Sequence, residues 1–430
     1  VCEHPCEMHC RRGMVDDPMN IRGLKRYATE HMESDYTPNK AKPTGKKVAV
    51  IGGGPAGLSA AYYLALMGHE PTIFEQREKL GGMVRYGIPS YRLPRERLDE
   101  EIQWLLDCGI KVKTGVSVGG EDLEQIRKDY DAVYMAIGAH KDRKLGLPGE
   151  DHPDVHSAVE MLREIGDGIY PDFTGKKVAV IGGGNVAMDV ARSAIRCHAS
   201  RVTVIYRRRI DDMTAQDEEI VGAQAEGCEI LQLAAPISIE TRESGVLRGV
   251  RVHRQIIGGL KRGRPAPRDA EGETMIVHGD VVIVAIGQAI DSEPFEKLGM
   301  ATKRGQIVTE SDGSVPGFDG VFCGGDCQTG PATVIRAINA GKVAAANIDH
   351  YLGFDHKIEL DVEIPTVQFK GKISCARCET TMRRSDQRIK DFQNIENGLT
   401  DEEAQQEASR CLRCDHFGFG AFRGGRIEQW

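Results

Sequence analysis

Long apolar runs are missing from this 430-residue sequence, so nothing in it is expected to span a bilayer, which takes roughly 20 such residues. A secretory leader is missing as well, which points to the cytoplasm. There is no excess of positive charge: 56 Lys and Arg face 64 Asp and Glu, giving a net charge of -8 and a pI near 6.0. That balance argues against a nucleic-acid surface and fits a soluble protein. A disulfide framework would suit a small secreted domain, whereas this chain is long enough for two or three domains with cores of their own. Its 12 cysteines therefore call for another explanation.

The strongest feature present is a repeated turn. Residues 47–51, Lys-Val-Ala-Val-Ile, read as a buried parallel strand that breaks into Gly52, Gly53, Gly54, Pro55, Ala56 and Gly57. Residues 177–181 carry the same five letters and break into Gly182, Gly183, Gly184, Asn185, Val186 and Ala187. The first glycine permits a tight turn, the second lets backbone N–H groups approach a pyrophosphate, and the third position must be small for the helix to pack on its strand. The phosphate then rests on the positive end of the helix. Two copies, each between an Ala-Val-Ile strand and an Ala-rich helix, predict two bound dinucleotides.

The copies differ where the nucleotide is chosen. The strand after the first ends in Glu75 and Gln76, and a carboxylate there accepts from ribose hydroxyls and repels a 2′-phosphate. The strand after the second runs into Arg207, Arg208 and Arg209 with no acid, and guanidinium forks suit a phosphate. FAD is expected at the first turn and NADP(H), ahead of NAD(H), at the second.

Other stretches complete the plan. Residues 79–89, with Gly82, read as a loop that passes close to a flat ring. A helix from Arg95 to Cys108, with Arg97 placed among the nucleotide contacts, stops at Gly109, a residue suited to a left-handed cap. Strands at 132–139 and 280–288 end in the related pairs Ile137-Gly138 and Ile286-Gly287, which suggests one domain inserted into another. The first domain resumes at residues 320–326, where Gly325 and Asp326 fit a carboxylate bonded to a ribityl chain. Thr333 then precedes a helix whose N-terminus would face the pyrimidine edge of a flavin. Cys323 and Cys327 bracket that loop at a spacing unlike the C-x2-C of a redox pair.

The remaining cysteines gather at the ends: Cys2, Cys6 and Cys10, then Cys375, Cys378, Cys411 and Cys414. Two C-x2-C pairs bring four thiolates to one site, which either a [4Fe-4S] cluster or structural zinc accepts. The redox setting favours iron–sulfur. Residues 415–426, with glycine-spaced phenylalanines, read as a docking tail.

The glycine motifs, Gly324-Gly325-Asp326, the Cys2-x3-Cys6-x3-Cys10 entry and the following Pro18-Met19-Asn20-Ile21-x-Gly23-Leu24 resemble the family typified by the small subunit of bacterial glutamate synthase. The N-terminal part of dihydropyrimidine dehydrogenase and the large subunit of the bifurcating ferredoxin:NADP oxidoreductase are similar. The resemblance covers roughly residues 1–352. It implies an α/β protein in which a Rossmann-like NAD(P)H domain is inserted in a Rossmann-like FAD domain, with a helical iron–sulfur segment in front. The tail at 356–430 is additional. Expected boundaries are 1–45 for the iron–sulfur segment and linker, 46–150 and 288–355 for the FAD domain, and 151–287 for the inserted domain.

By the same resemblance Cys2 and Cys6 serve one [4Fe-4S] cluster and Cys10 completes another, with further ligands from upstream residues or another chain. The chain starts at Val1 without an initiator methionine and is expected to be a piece of a longer polypeptide. Lys25 stands where relatives place a Glu or Gln ligand. The implied activity is hydride exchange between NADP(H) and FAD and single-electron exchange with the clusters, inside a multi-subunit redox complex that bifurcates electrons or serves ferredoxin. A glutamate synthase small subunit proper is one alternative. A disulfide reductase is disfavoured for want of a redox cysteine pair at the usual places, and a non-catalytic nucleotide-binding scaffold is the other rival.

Overall fold

The computed structural model describes residues 1–32, 37–261, 263–272, 274–358 and 375–414. The stretch at 415–426 lies outside them. The chain opens with a helical turn, Pro5–Met8, and the helix Ile21–Glu30 (α1), whose cap Asn20 accepts from Gly23 N–H at 2.9 Å. A first unit is then laid down as Lys47–Ile51 (β1), Pro55–Leu66 (α2), Glu70–Glu75 (β2), Arg95–Leu106 (α3), Lys111–Thr114 (β3) and Ala132–Met135 (β4).

The second unit runs through Val155–Ser157 (β5), Ala158–Gly166 (α4), Lys177–Ile181 (β6), Asn185–Arg196 (α5), Arg201–Ile205 (β7), Asp217–Ala225 (α6) and Cys228–Leu231 (β8). The strands Ala234–Thr241 (β9), Leu247–Lys261 (β10), Arg264–Asp269 (β11) and Met275–His278 (β12) follow, then Val281–Val284 (β13). Val321–Cys323 (β14) and Val334–Tyr351 (α7) complete the first unit, and Asp401–Ser409 (α8) lies in the C-terminal segment.

The two units share one sheet design. The first is ordered β14-β4-β1-β2-β3 and the second β5-β13-β6-β7-β8, with every neighbour parallel. In both, the strand before the glycine turn sits in the middle, its last four residues buried, which is why it reads as an unbroken apolar run. The strand order reverses there, and that reversal opens a crevice above the glycines. The chain passes between the units twice, and the passages pair as Lys141–Asp142 antiparallel to Gln288–Ala289.

Packing holds each glycine turn in place. The helix α2 is apolar nearly all round because the sheet covers one side and α7 the other. A Cβ on Gly341 of α7 would collide with the Ala56 carbonyl and stand 2.8 Å from Ala60 N, so only glycine permits that crossing. The strands expected at 132–139 and 280–288 are shorter, ending at Met135 and Val284. The antiparallel sheet β9 to β12 was not foreseen. No helix among the described residues is long and apolar enough to cross a membrane.

Candidate functional site

A cleft opens over the first glycine turn. Gly52 (φ +106°) and Gly57 leave no room for a side chain: a Cβ on either would strike a backbone carbonyl, that of Ala136 or of Gly52 itself. The Gly81-Gly82 loop lies against the turn, with Gly81 N–H donating to Gly53 O at 2.8 Å. Glu75, 5% exposed, accepts from Gly53 N–H at 2.8 Å and Arg77 N–H at 2.9 Å. The carboxylate is thus fixed against the glycine loop with further lone pairs to spare.

Most of the residues singled out for the first nucleotide line this cleft: Gly52, Gly54, Pro55 and Ala56, then Glu75, Gln76, Gly82 and Gly138, and finally Asp326 and Thr333. Gly57 lies beneath it. Gly325 (φ +76°) turns the chain behind it, with space for a Cβ only 2.9 Å from Ala56 Cβ. Arg97 does not line the cleft: it sits on the outer face of α3, paired with Glu100 at 2.8 Å. Gly287 lies at the second chain crossing, where its carbonyl accepts from Arg143 N–H at 3.3 Å.

Two polar groups face this cleft with bonding capacity to spare. One Asp326 oxygen accepts from Ala332 N–H at 3.1 Å, and burial pushes its carboxyl above the usual range. The Thr333 hydroxyl is buried without a hydrogen-bond partner. A ligand with hydroxyls and a phosphate would satisfy both and fill the space that the glycines keep open, so the residues fit a dinucleotide. Sequence reasoning missed His140, which also lines the cleft; burial, with Arg77 and Arg163 nearby, pushes its pKa down to about 4. Arg163 comes from α4, so the second unit forms part of the wall.

The second glycine turn repeats the geometry. Gly182 (φ +151°) has no space for a Cβ beside the Ala285 carbonyl, and a Cβ on Gly183 would strike the Tyr206 ring. Gly184 caps α5, and Ala187 is fully buried against the sheet. Asn185 is partly engaged: its Oδ1 accepts from Gln216 N–H at 2.9 Å. Beyond β7, Arg207 is exposed, Arg208 Nε donates to Pro265 O at 3.3 Å, and Arg209 pairs with Asp212. Arg264 of β11 donates to the Asp212 carbonyl, bringing another cation beside the arginine run.

The cysteine segments from the two ends fold on each other. Glu407 of α8, with no exposed side-chain surface, accepts from Asn20 N–H at 2.7 Å and Cys378 N–H at 2.8 Å and pairs with Arg410. Arg410 in turn donates to Cys375 O at 3.1 Å and Asp17 O at 2.7 Å. Arg377 reaches Pro18 O at 2.8 Å and the buried Glu7 at 3.0 Å. Cys378, Leu399 and Ala404 pack on Leu24 and Tyr27 of α1. Cys2 and Cys6 are exposed, Cys10, Cys375, Cys411 and Cys414 half-buried, and Lys25 points to solvent.

This cysteine-bearing module is anchored on the second unit. Arg388 donates to Glu226 at 2.7 Å, Arg22 to Glu218 at 3.0 Å, and the Phe392 ring packs at a tilt against that of Tyr170, 4.6 Å between centroids. Asn185 Nδ2 donates to Glu3 at 3.4 Å, so the Cys2 segment touches the second glycine turn. Among the described residues the one trio of candidate ligand atoms within 4.8 Å is His69, Asp349 and His356. His69 and His356 each hydrogen-bond to Asp349, at 2.8 and 2.7 Å, and tie the start of β2 to the end of α7.

Comparison with known proteins agrees with this geometry. The Pyridine nucleotide-disulphide oxidoreductase family matches residues 46–341. The chain is 37% identical to the NADP(+)-dependent formate dehydrogenase subunit beta of Moorella thermoacetica, over 99% of this chain and 66% of that one. It is 35% identical to the NADPH-Fe(3+) oxidoreductase subunit beta of Geobacter sulfurreducens, over 96% and 68%. It is 31% identical to the glutamate synthase [NADPH] small chain of Escherichia coli K12, over 82% and 78%. The chain thus spans about two thirds of the length of the first two. The fold matches the Mycobacterium tuberculosis FprA complex with NADPH at a TM-score of 0.61 and 19% identity, over 72% of this chain and 85% of that one. The chain belongs to the pyridine nucleotide-disulphide oxidoreductases, among the relatives of the glutamate synthase small chain, and is an NAD(P)H-dependent oxidoreductase.

Proposed function

We propose that this chain is the nucleotide-handling subunit of a multi-subunit redox complex, holding FAD over Gly52, NADP(H) over Gly182 and iron–sulfur clusters in the cysteine module. The observation that carries the reading is the shared wall: the cleft over Gly52 is lined by the first unit and by Arg163 of the second. A nucleotide seated on the second turn is thereby directed at the contents of the first. We assign residues 46–150 and 288–355 to the flavin unit and 151–287 to the inserted unit, flanked by 1–45 and 356–430.

A flavin bound there accepts a hydride from reduced nicotinamide and releases electrons one at a time. The chain's own residues supply position and charge. The backbone N–H groups of Gly54, Ala56 and Gly57 face the pyrophosphate, Glu75 takes ribose hydroxyls, and Asp326 and Thr333 hold the ribityl and ring end. Arg207 and Arg208 bind the 2′-phosphate, which selects NADPH over NADH. His140, uncharged at neutral pH, leaves the cleft without an added cation on that side.

The cysteines favour iron–sulfur over zinc. Zinc is redox-inert, whereas a cluster can take the single electrons that a flavin beside a nicotinamide site releases. Contact between Glu3 and Asn185 puts the N-terminal cysteines beside the nucleotide unit, a position suited to passing electrons to a partner subunit or a ferredoxin. The three relatives compared are themselves the beta or small chains of their enzymes.

The test is an anaerobic titration of the purified yellow protein with NADPH, together with iron, zinc and acid-labile sulfide per chain. Bleaching of the flavin absorbance, with iron and sulfide in equal amounts, is the expected result. An unbleached flavin would leave a binding scaffold, and zinc without sulfide would overturn the cluster assignment.

A further inference from the structure

At the end of the first unit opposite the cleft, His69, Asp349 and His356 form a cluster with no part in nucleotide or iron–sulfur binding. His69 stands just before β2, Asp349 two residues before the end of α7, and His356 in the stretch that follows. Their ligand atoms lie within 4.8 Å of one another. The His69 side chain has no exposed surface and that of Asp349 has 2%, while His356 keeps 25%. His356 thus leaves the cluster a way in from solvent.

One carboxylate oxygen is the hub. Asp349 Oδ1 stands 2.8 Å from His69 Nε2 and 2.7 Å from His356 Nδ1. The outer atoms are engaged elsewhere: Asp349 Oδ2 accepts from His356 N–H at 2.7 Å, and His69 Nδ1 lies 2.7 Å from Thr44 Oγ1. Thr44 Oγ1 is also 3.2 Å from Gly68 O, and a hydroxyl that gives its hydrogen to that carbonyl accepts from the His69 ring. An uncharged imidazole has one N–H, so His69 Nε2 then meets the Asp349 oxygen lone pair to lone pair. That contact calls for a positive charge between them. A ring whose far nitrogen donates to an oxygen, and a carboxylate whose second oxygen takes an N–H, are the outer contacts that orient metal ligands. Phe354 adds an apolar wall, stacked on His356 at 5.2 Å and edge-on to His69 at 5.5 Å.

We propose that His69 Nε2, Asp349 Oδ1 and His356 Nδ1 bind a zinc ion, with water in the fourth position on the exposed side. Two imidazoles and one carboxylate suit that metal. Tetrahedral ligand atoms at about 2.0–2.2 Å from zinc stand roughly 3.3–3.6 Å apart, so the two short gaps open by roughly 0.5–0.8 Å. Any ring N–H between them leaves as a proton. His356, outside any helix or strand, takes up that shift. The ion joins two elements whose other ends reach the cleft, since β2 ends at Glu75 and α7 starts beside Thr333. Its part is structural: it pins the back of the first unit and carries no electrons, because zinc has no redox chemistry.

The test uses the full-length protein with its bound groups in place and no histidine tag. After dialysis against a mild chelator and then against zinc, the parent is expected to hold about one zinc more per chain than H356A, with flavin and iron equal in the two. X-ray absorption fine structure at the zinc edge should show nitrogen and oxygen neighbours at about 2.0–2.2 Å in the parent that H356A lacks, distinct from any sulfur at about 2.3 Å. Equal zinc in the parent and H356A, or sulfur neighbours alone, overturns the site and leaves a hydrogen-bonded trio that only ties β2 to α7. Should H356A lose flavin as well, H356C decides: zinc recovered with one further sulfur neighbour upholds the ligand, and none recovered overturns it.

Discussion

Replacing Glu226 with Gln should cost more than any surface charge in this chain. Its carboxylate, with no exposed side-chain surface, accepts from Arg192 at 2.7 Å, Arg196 at 2.6 Å and Arg388 at 2.7 Å. Arg192 keeps Glu219 as a partner when Glu226 is lost, and Arg388 keeps backbone carbonyls. Arg196 keeps only Arg192 O and the face of the Tyr91 ring, 3.9 Å from its guanidinium carbon. Removing one member of such a buried set costs about 3–5 kcal/mol. For a unit of this size that is a fall of roughly 6–20 °C in Tm. The pH dependence gives an independent figure. The arginines hold Glu226 down from 4.5 to about 2 against the opposing effect of burial, which corresponds to about 3 kcal/mol. A depressed carboxylate contributes stability that is complete above its unfolded pKa, so the contribution is present above pH 4.5 and lost as pH falls through about 2. Asp189, raised by burial to about 6, acts in the opposite sense, which is why the parent-minus-E226Q difference is the quantity to follow. Thermal unfolding from pH 3 to 8 would measure it. A difference below about 1 kcal/mol at pH 7, the range of exposed pairs, or one that disappears in high salt, would refute the reasoning.

Two other substitutions bear on the nucleotide sites. R207A/R208A should raise the Kd for NADPH by about ten-fold or more while leaving NADH within about two-fold, since each charge-assisted bond to phosphate is worth about 1.5–3 kcal/mol; equal losses by titration calorimetry would remove the 2′-phosphate assignment. G57V should yield protein without flavin, because the new side chain would occupy the space of the Gly52 carbonyl; flavin content per chain after gel filtration decides it, and a full complement would show that the turn does not cradle the cofactor.

The glycine turns were legible because their cause is local. A short strand with four buried apolar residues that ends in a glycine of positive φ, Gly52 or Gly182, has few other solutions, and Glu75 stands at the end of the next strand by the same βαβ arithmetic. Arg97 was misplaced because a helix carries a residue to one face or the other within two positions, and α3 turns this one outward. The Cys323–Cys327 approach was hidden by a motif-based expectation, since a glycine turn and not a helix brings residues four apart into contact. His140 had no signal beyond its place after Gly138; its pKa is lowered first by burial and then by Arg77 and Arg163, an enclosure by both units that no local pattern encodes. The contacts between the ends were the least legible. Asn20, Glu7, Glu407 and Arg410 look like ordinary surface residues, and only pairing across nearly the whole chain explains their burial.

That pairing makes the two cysteine sets one structure, a consequence open to test at a single residue. Glu407 is the acceptor for the backbone N–H of Asn20, which caps α1, and for that of Cys378, a candidate ligand, and it neutralises the fully buried Arg410. E407A leaves two buried N–H groups without their acceptor, while Arg410 keeps Asp16 at 2.9 Å and two backbone carbonyls, so the cost, about 1–3 kcal/mol for each orphaned N–H, falls on both ends together. Neither the cleft over Gly52 nor the arginine run after β7 touches these residues, so flavin retention and NADPH affinity should stay near parental values. Iron and sulfide should fall further than in C375S/C378S, which removes ligands from the C-terminal set alone. If E407A loses no more iron than that double variant, the N-terminal cysteines hold their geometry independently, and the contacts between the ends are packing without consequence for the metal.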